Sequence, residues 1–350
     1  MSLQPAALVQ LRVFLEQLLA GRDLNAADAG ALLNGLTEPE LPAPLAGALL
    51  AALQAKGVCA AELRGLATAM RALARRPALP AGLAAVDIVG TGGDASGSFN
   101  LSTGAALLTA ACGVPVVKHG NRSVSSRSGS ADVLEQLGLR LPLDEQAAAD
   151  CLAATQFTFL FAPHYHPAMK AIAPARAALG VRTVFNILGP LTNPAAPPYQ
   201  LIGAYDAGVA KLMAETFSGM PIERAFVIHG DNGWDEPTPI APFKIFDVRP
   251  GAVHTLTRSA ADYGLPACAA ADLAGGDAAR NAQGLQAALS GADHGAHRHA
   301  LLLGCALALE VAGRAGSPRE AVAQAADAID SGAAANLLTQ LAQFGRSQIR

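Results

Sequence analysis

The segment Asp87-Ile-Val-Gly-Thr-Gly-Gly-Asp94 puts three glycines directly after an apolar run that reads as a strand. Glycines at such a point let the chain turn sharply and bring backbone N–H groups against phosphate oxygens without side-chain obstruction. They serve a plain turn equally well, so the motif gains weight only from its neighbours. Phe99-Asn-Leu-Ser-Thr103 opens the next helical run and offers an amide, two hydroxyls and a positive helix end. That set suits an anion or the metal that accompanies it, although Ser102 and Thr103 also suit simple capping. Residues 117–132 hold Lys118, Arg122 and Arg127 together with Asn121 and five serines. So many donors, and so few apolar side chains, point to a loop that receives a polyanion. Asp235 and Glu236 end a further loop. Adjacent carboxylates hold magnesium through one oxygen each plus waters, the usual hard-cation arrangement beside phosphates. Alone, such a pair reads better as surface acids at a turn; the glycine and serine loops reverse that preference.

These residues need a scaffold, and the periodicity supplies one. Residues 3–19, 26–36, 44–56 and 60–75 read as helices, the second capped by Asn25 and the third closed by Gly57. A linker at 76–82 follows. Strands are expected at 86–89 and 114–117 with a helix at 102–112 between them, the pattern of a βαβ unit on a parallel sheet. Strands at 157–161, 200–204 and 225–229 and helices at 167–179 and 208–217 extend it. Residues 243–248 and 253–256 read as a hairpin, and 284–289, 298–312 and 318–343 as helical. The expected class is α/β: a small all-helical N-terminal domain (1–76, joined by helices from about 167–190) and a larger domain (84–350) with a central, mainly parallel sheet flanked by helices. In this frame the residues after 117 lie in a loop at the carboxyl end of the sheet, where open α/β sheets bind ligands.

The 350 residues are 51% hydrophobic and 15% charged, with a formal net charge of −3. This excludes a disordered chain and a general nucleic-acid binder. The N-terminus lacks a signal-peptide pattern, and no apolar run is long enough to cross a bilayer. The five cysteines show no metal or disulfide spacing and read as buried, non-catalytic thiols in a reducing, cytoplasmic setting. The helical unit is rich in Ala and Leu, so a subunit interface there, giving a homodimer, is expected.

The blocks 90–94, 100–103, 118–132, 166–170, Arg176, 179–194 and Asp235-Glu236 occur in an order that resembles anthranilate phosphoribosyltransferase, within the nucleoside phosphorylase and phosphoribosyltransferase class III-like family. The resemblance implies transfer of a phosphoribosyl group from phosphoribosyl pyrophosphate (PRPP) to anthranilate, with magnesium, in tryptophan biosynthesis. It implies a PRPP site at Gly90, Gly93, Asp94, Ser98, Asn100, Leu101, Ser102, Thr103, Lys118, His119, Gly120, Asn121, Arg122, Ser123, Val124, Ser125, Ser126 and Ser130. Gly90, Asn121 and Arg176 would contact anthranilate, and Ser102, Asp235 and Glu236 would ligate Mg2+. No residue is expected to act as a general acid or base; catalysis rests on positioning and charge stabilisation. His119 and His166 are candidates for shaping the aromatic site, and Arg182 for ordering the loop. The chain departs from the family pattern at Ala95, Trp234, Pro237 and Gly304. Two other readings stay open: a transferase on this scaffold with another aromatic acceptor, and a non-catalytic relative that binds nucleic acid.

Overall fold

The computed structural model describes residues 5–123 and 127–348. Four helices come first: α1 (Pro5–Leu19), α2 (Ala26–Leu36), α3 (Ala43–Lys56) and α4 (Ala60–Leu73). Asn25 caps α2 by accepting from the Asp28 N–H, as its residue type leads one to expect. Helices α2 and α4 pack without a gap at Gly65, where a Cβ would stand 2.1 Å from the Ala26 carbonyl oxygen. The buried Glu62 accepts from the Leu24 and Cys59 N–H groups and from Lys56. Asp23, Cys59 and Glu62 therefore converge, but the Lys56 ammonium already answers both carboxylates.

The rest alternates strands and helices. It begins with β1 (Val86–Gly90), α5 (Leu101–Ala111), β2 (Val116–Gly120), α6 (Ser130–Gln136), α7 (Glu145–Thr155) and β3 (Phe157–Phe161). It continues with α8 (Ala162–Tyr165), α9 (Met169–Leu179), α10 (Phe185–Leu188), β4 (Tyr199–Gly203), α11 (Ala207–Ser218) and β5 (Arg224–Gly230). The hairpin β6 (Phe243–Arg249) and β7 (Ala252–Arg258) leads to α12 (Ala278–Leu289), α13 (Ala296–Val311), α14 (Pro318–Asp330) and α15 (Ala333–Ser347).

One seven-stranded sheet results, in the order β3-β2-β1-β4-β5-β6-β7. Strands β1 to β5 pair in parallel and the hairpin adds antiparallel to β5. The chain fills one side of β1 first and then the other, so the topological switch point lies between β1 and β4. The period-2 alternation of the strands divides the core. Leu201, Phe226, Ile228 and Ile245 join α5, α13 and the other C-terminal helices in one buried cluster. Ile202, Ala225, Val227 and Phe246 face the other way and join α11, α10, Ile172 of α9 and the four N-terminal helices.

The structure corrects three expectations. Strand β2 runs to Gly120, in register with β3 from Val116 to Gly120. Lys118 and His119 are therefore strand residues, held by the β3 ladder, and the loop begins after them. Helices α6 and α7 lie in a stretch the periodicity left unassigned. They are short, and both start at local caps: the Asp132 carboxylate takes the Gly129 N–H, and Asp144 takes the Gln146 and Ala147 N–H groups. The helical stretch at 318–343 breaks into α14 and α15 at Gly332, whose φ of 81° no continuing helix allows. Of the cysteines, Cys151 and Cys305 are buried, whereas Cys59, Cys112 and Cys268 keep partial exposure because they sit at helix ends or in loops. Among the described residues no helix is long and apolar enough to cross a membrane.

Candidate active site

The two strands at the switch point end opposite each other in glycine, Gly90 on β1 and Gly203 on β4. The loop bearing Asp235 packs onto this pair. A Cβ at Gly203 would stand 1.4 Å from the Asp235 carbonyl oxygen, and one at Gly90 would stand 2.4 Å from its Oδ2. No residue but glycine leaves room there. The Asp235 carboxylate takes the Gly92 N–H at 2.5 Å and reaches the Thr91 hydroxyl at 3.5 Å. The Asp235 N–H donates to Asp94 Oδ2 at 3.3 Å. Glu236 Oε1 accepts from the Ser102 N–H at 3.2 Å, at the positive end of α5. The glycine loop, the first turn of α5 and the acidic pair thus form one constellation, from sequence positions more than 130 apart.

Lys118 enters it from β2. Its Nζ donates to the Ile88 carbonyl and lies 3.4 Å from Ser102 Oγ. The lysine is 1% exposed. Burial lowers its pKa against the pull of Asp87, Glu236 and Asp235. The acids respond oppositely. Burial and the Glu236 charge raise Asp235 well above the carboxylate range, and burial lifts Glu236 to about 7. Asp94, Asp235 and Glu236 together outnumber the one ammonium that faces them. That excess of carboxylates beside the Ser102 hydroxyl fits a divalent cation.

Further residues shape the frame. Asn100 Oδ1 accepts from Asn281 Nδ2 at 2.7 Å, and its own amide reaches the Ser128 carbonyl at 3.4 Å. Leu101 and Thr103 are buried on α5. Asp94 Oδ1 accepts from the Ser96 N–H and hydroxyl, and Ser96 Oγ lies 3.1 Å from Ser98 Oγ. Gly93 is fixed by Arg182, whose Nη2 donates to its carbonyl at 2.6 Å while the guanidinium stacks on Tyr205. Arg182 therefore does order the loop. Ala95, one of the departures from the family pattern, has φ of 55°, a left-handed conformation that glycine adopts more readily than alanine. Gly304 lies so near α5 that an added Cβ would stand 2.8 Å from the Ala105 Cβ. A side chain could not occupy that place without moving a helix.

Not every expected residue joins the constellation. Arg122 is half exposed and engages Glu135 at 2.5 and 2.6 Å and Asp132 at 3.0 Å, tying the loop to α6. The Asn121 carbonyl accepts from Ser130 Oγ, and the Ser123 N–H donates to Asp132. A Cβ at Gly120 would stand 2.6 Å from Ser130 Oγ. Val124, Ser125 and Ser126 lie outside the described residues. Arg176 ends α9 with its guanidinium 5.0 Å over the Phe185 ring. It makes no ion pair among the described residues, and burial lowers its pKa. His119 and His166 meet edge to face at 5.1 Å. Burial drives them to about 3 and about 4, so both rings are neutral near pH 7.

Sequence reasoning passed over Asp87 and Asn193. Beyond Val86, paired with Val116, side chains link β1 to β2. Asp87 Oδ1 accepts from the His119 N–H, and Asn193 Nδ2 donates to Asp87 Oδ2 and the Val117 carbonyl, both at 2.8 Å. Asp87 heads the glycine motif, which was the one available signal. Asn193 carried none apart from its place in a block of the resemblance, and Asn281 carried none at all.

Known proteins share this chain's sequence pattern and fold. The model of the glycosyl transferase family, a/b domain, matches residues 82–335, and that of the same family's helical bundle domain matches residues 12–74. Anthranilate phosphoribosyltransferase of Desulforudis audaxviator is 46% identical over 334 residues, covering 95% of this chain and 96% of that protein. The chain belongs to the anthranilate phosphoribosyltransferase family. The Thermus thermophilus member has a crystal structure with a TM-score of 0.89 and 37% identity, covering 95% of this chain and 99% of that one. The Saccharomyces cerevisiae member, solved in complex with PRPP and Mg, gives 0.87 and 25%, covering 97% and 98%. The same yeast protein has been solved with 4-fluoroanthranilate, with a TM-score of 0.86. The fold expected from the sequence, a helical N-terminal unit and a mostly parallel sheet flanked by helices, is the fold of this family.

Gly203→Ala tests the glycine pair. It should displace the Asp235 backbone and lower phosphoribosyltransferase turnover at least roughly tenfold, with an unchanged far-UV circular dichroism spectrum. Wild-type turnover would mean that the acidic loop does not depend on this contact.

Proposed function

We propose that the chain transfers the 5-phosphoribosyl group of PRPP to the amine of anthranilate, giving N-(5-phosphoribosyl)anthranilate and pyrophosphate in tryptophan biosynthesis. The observation that carries this reading is the convergence of the Gly90 loop, Ser102, Lys118 and the Asp235–Glu236 pair at the switch point. In our reading, PRPP lies along Gly90, Gly93, Asp94, Ser98, Asn100 to Thr103, Lys118 to Asn121 and Ser130. Ser102, Asp235 and Glu236 would hold Mg2+, which neutralises charge on the departing pyrophosphate when bound. Lys118 adds a fixed cation, and the loop N–H groups offer donors that need no reorganisation. Arg122 contributes indirectly, by anchoring the loop to α6.

Arg176 would take the anthranilate carboxylate through two parallel hydrogen bonds. Its partly desolvated guanidinium, without an ion pair among the described residues, supports that role, and Gly90 and Asn121 complete the proposed acceptor site. The aniline nitrogen is a neutral nucleophile, so displacement at the anomeric carbon needs no strong base. The neutral histidines agree with this: each can position but neither carries a charge at neutral pH. Holding donor and acceptor in line is then the main contribution, up to about 7–11 kcal/mol in favourable cases. Residues 1–76 with the helices near 167–190 would form one lobe and residues 84–350 the other. Val9, Val13 and Leu19 leave an apolar stripe exposed on α1, which supports a homodimer through the helical lobe. Five free cysteines suit a cytoplasmic setting.

Anthranilate fluorescence should fall when PRPP and magnesium are added, and stay constant without metal. The double variant Asp235→Ala/Glu236→Ala should lose most of that activity while remaining folded; unchanged turnover would remove the metal assignment. Arg176→Ala should raise the KM for anthranilate about tenfold or more, equivalent to roughly 1.4 kcal/mol of binding, with little change for PRPP. An effect confined to PRPP would contradict its role. Val9→Glu/Val13→Glu should sediment as a monomer, and an unaltered dimer would place the interface elsewhere.

A further inference from the structure

Helices α5 and α13 cross closely. A Cβ on Gly104 would stand 2.5 Å from the Leu301 side chain, and Gly304 is equally confined against Ala105. The crossing brings together two cysteines 193 positions apart, Cys112 at the C-cap of α5 and Cys305 on α13. Their sulfurs lie 3.8 Å from each other, and Cys112 Sγ also contacts the Gln324 carbonyl at 3.8 Å. Cys305 is fully buried, whereas Cys112 keeps partial exposure. Cys112 is the partly exposed residue of the pair, and Cys305 lies in the core behind it.

We propose that Cys112 and Cys305 are an oxidisable dithiol, which hydrogen peroxide converts to an intramolecular disulfide that clamps α5 to α13 and slows turnover. Cys112 sulfur attacks one peroxide oxygen, the O–O bond breaks, and Cys112 becomes a sulfenic acid with release of water. Cys305 sulfur then attacks the Cys112 sulfur; the S–O bond breaks and a second water leaves. Two thiols are oxidised by two electrons, and both peroxide oxygens end as water. The order follows from the surroundings. Contact with Cys305 lowers the Cys112 thiol, while burial pushes Cys305 up, so Cys112 reaches the reactive thiolate first.

The consequence for turnover rests on the active-site reading above. Bond formation draws the sulfurs from 3.8 Å to about 2.05 Å. The two helices have no slack at the glycine crossing, so any part of that closure not met by side-chain rotation displaces one of them. Ala105 of α5 and Ala300 and Gly304 of α13 line the same enclosed space as Ser102 and Glu236. Close-packed interiors pass such a displacement on.

The test treats the purified full chain with hydrogen peroxide and maps its peptides. We expect the Cys112 and Cys305 peptides joined, with loss of the mass of two hydrogens. Turnover should fall at least roughly tenfold and return with dithiothreitol. Cys112→Ala and Cys305→Ala should each keep their activity under the same treatment. Free thiols at both positions, or added oxygen on Cys112 with Cys305 still free, would overturn the dithiol. A joined pair with unchanged turnover would overturn the control of activity. An untreated chain inactive with PRPP and anthranilate would instead refute the function, and the peptide map would still decide the disulfide.

Discussion

Two missing side chains hold the site together. Strands β1 and β4 end side by side in Gly90 and Gly203, and Asp235 occupies the volume their Cβ atoms would fill, with its carboxylate at Gly90 and its carbonyl at Gly203. This contact brings the acidic loop against the glycine loop, which lets Asp235 take the Gly92 N–H and Glu236 take the Ser102 N–H. A methyl group at Gly203 would push the Asp235 backbone away and strain these contacts together. The parallel sheet contributes by aiming both strand ends, and the positive end of α5, at one place.

A second constraint acts beside the first. Strands β1 and β2 share backbone pairing at Val86 and Val116, and beyond that point polar side chains take over. Asp87, Asn193 and Lys118 are buried, and each satisfies a backbone group of a neighbouring strand. A buried polar group without a partner is costly, so the network must be complete to be tolerated. It also loads the site with charge. Burial raises Asp87 to about 6 while the Lys118 charge holds it down. The ammonium that steadies the strands is the same one that faces the acidic pair. Stability and function meet in Lys118, and substituting it would disturb both.

Much of this was legible along the chain. Three glycines after a strand, hydroxyls at a helix start and paired carboxylates after another strand each announce themselves by residue type and position, because phosphate and magnesium demand those types. The helices followed from the 3.6-residue period of a buried face, and the parallel sheet from short apolar runs alternating with helical stretches. Helices α6 and α7 were not legible, because α6 has only seven residues and α7 is built largely of alanine with a single leucine, so neither shows a clear apolar face. The end of β2 was misplaced because Lys118 and His119 look like loop residues until the β3 ladder claims them.

The sequence by itself determined the fold class, the family and the chemical character of the site, since these depend on residue types and on local spacing. Tertiary structure alone decided which groups meet. Nothing in one dimension says that Gly203 makes room for Asp235, that Asn281 orients Asn100, that Arg122 is engaged by Glu135 or that Cys112 faces Cys305. Those pairings lie between 13 and 193 positions apart. They are fixed by the crossing of helices and the order of strands, which a chain acquires only when all its apolar faces are buried together.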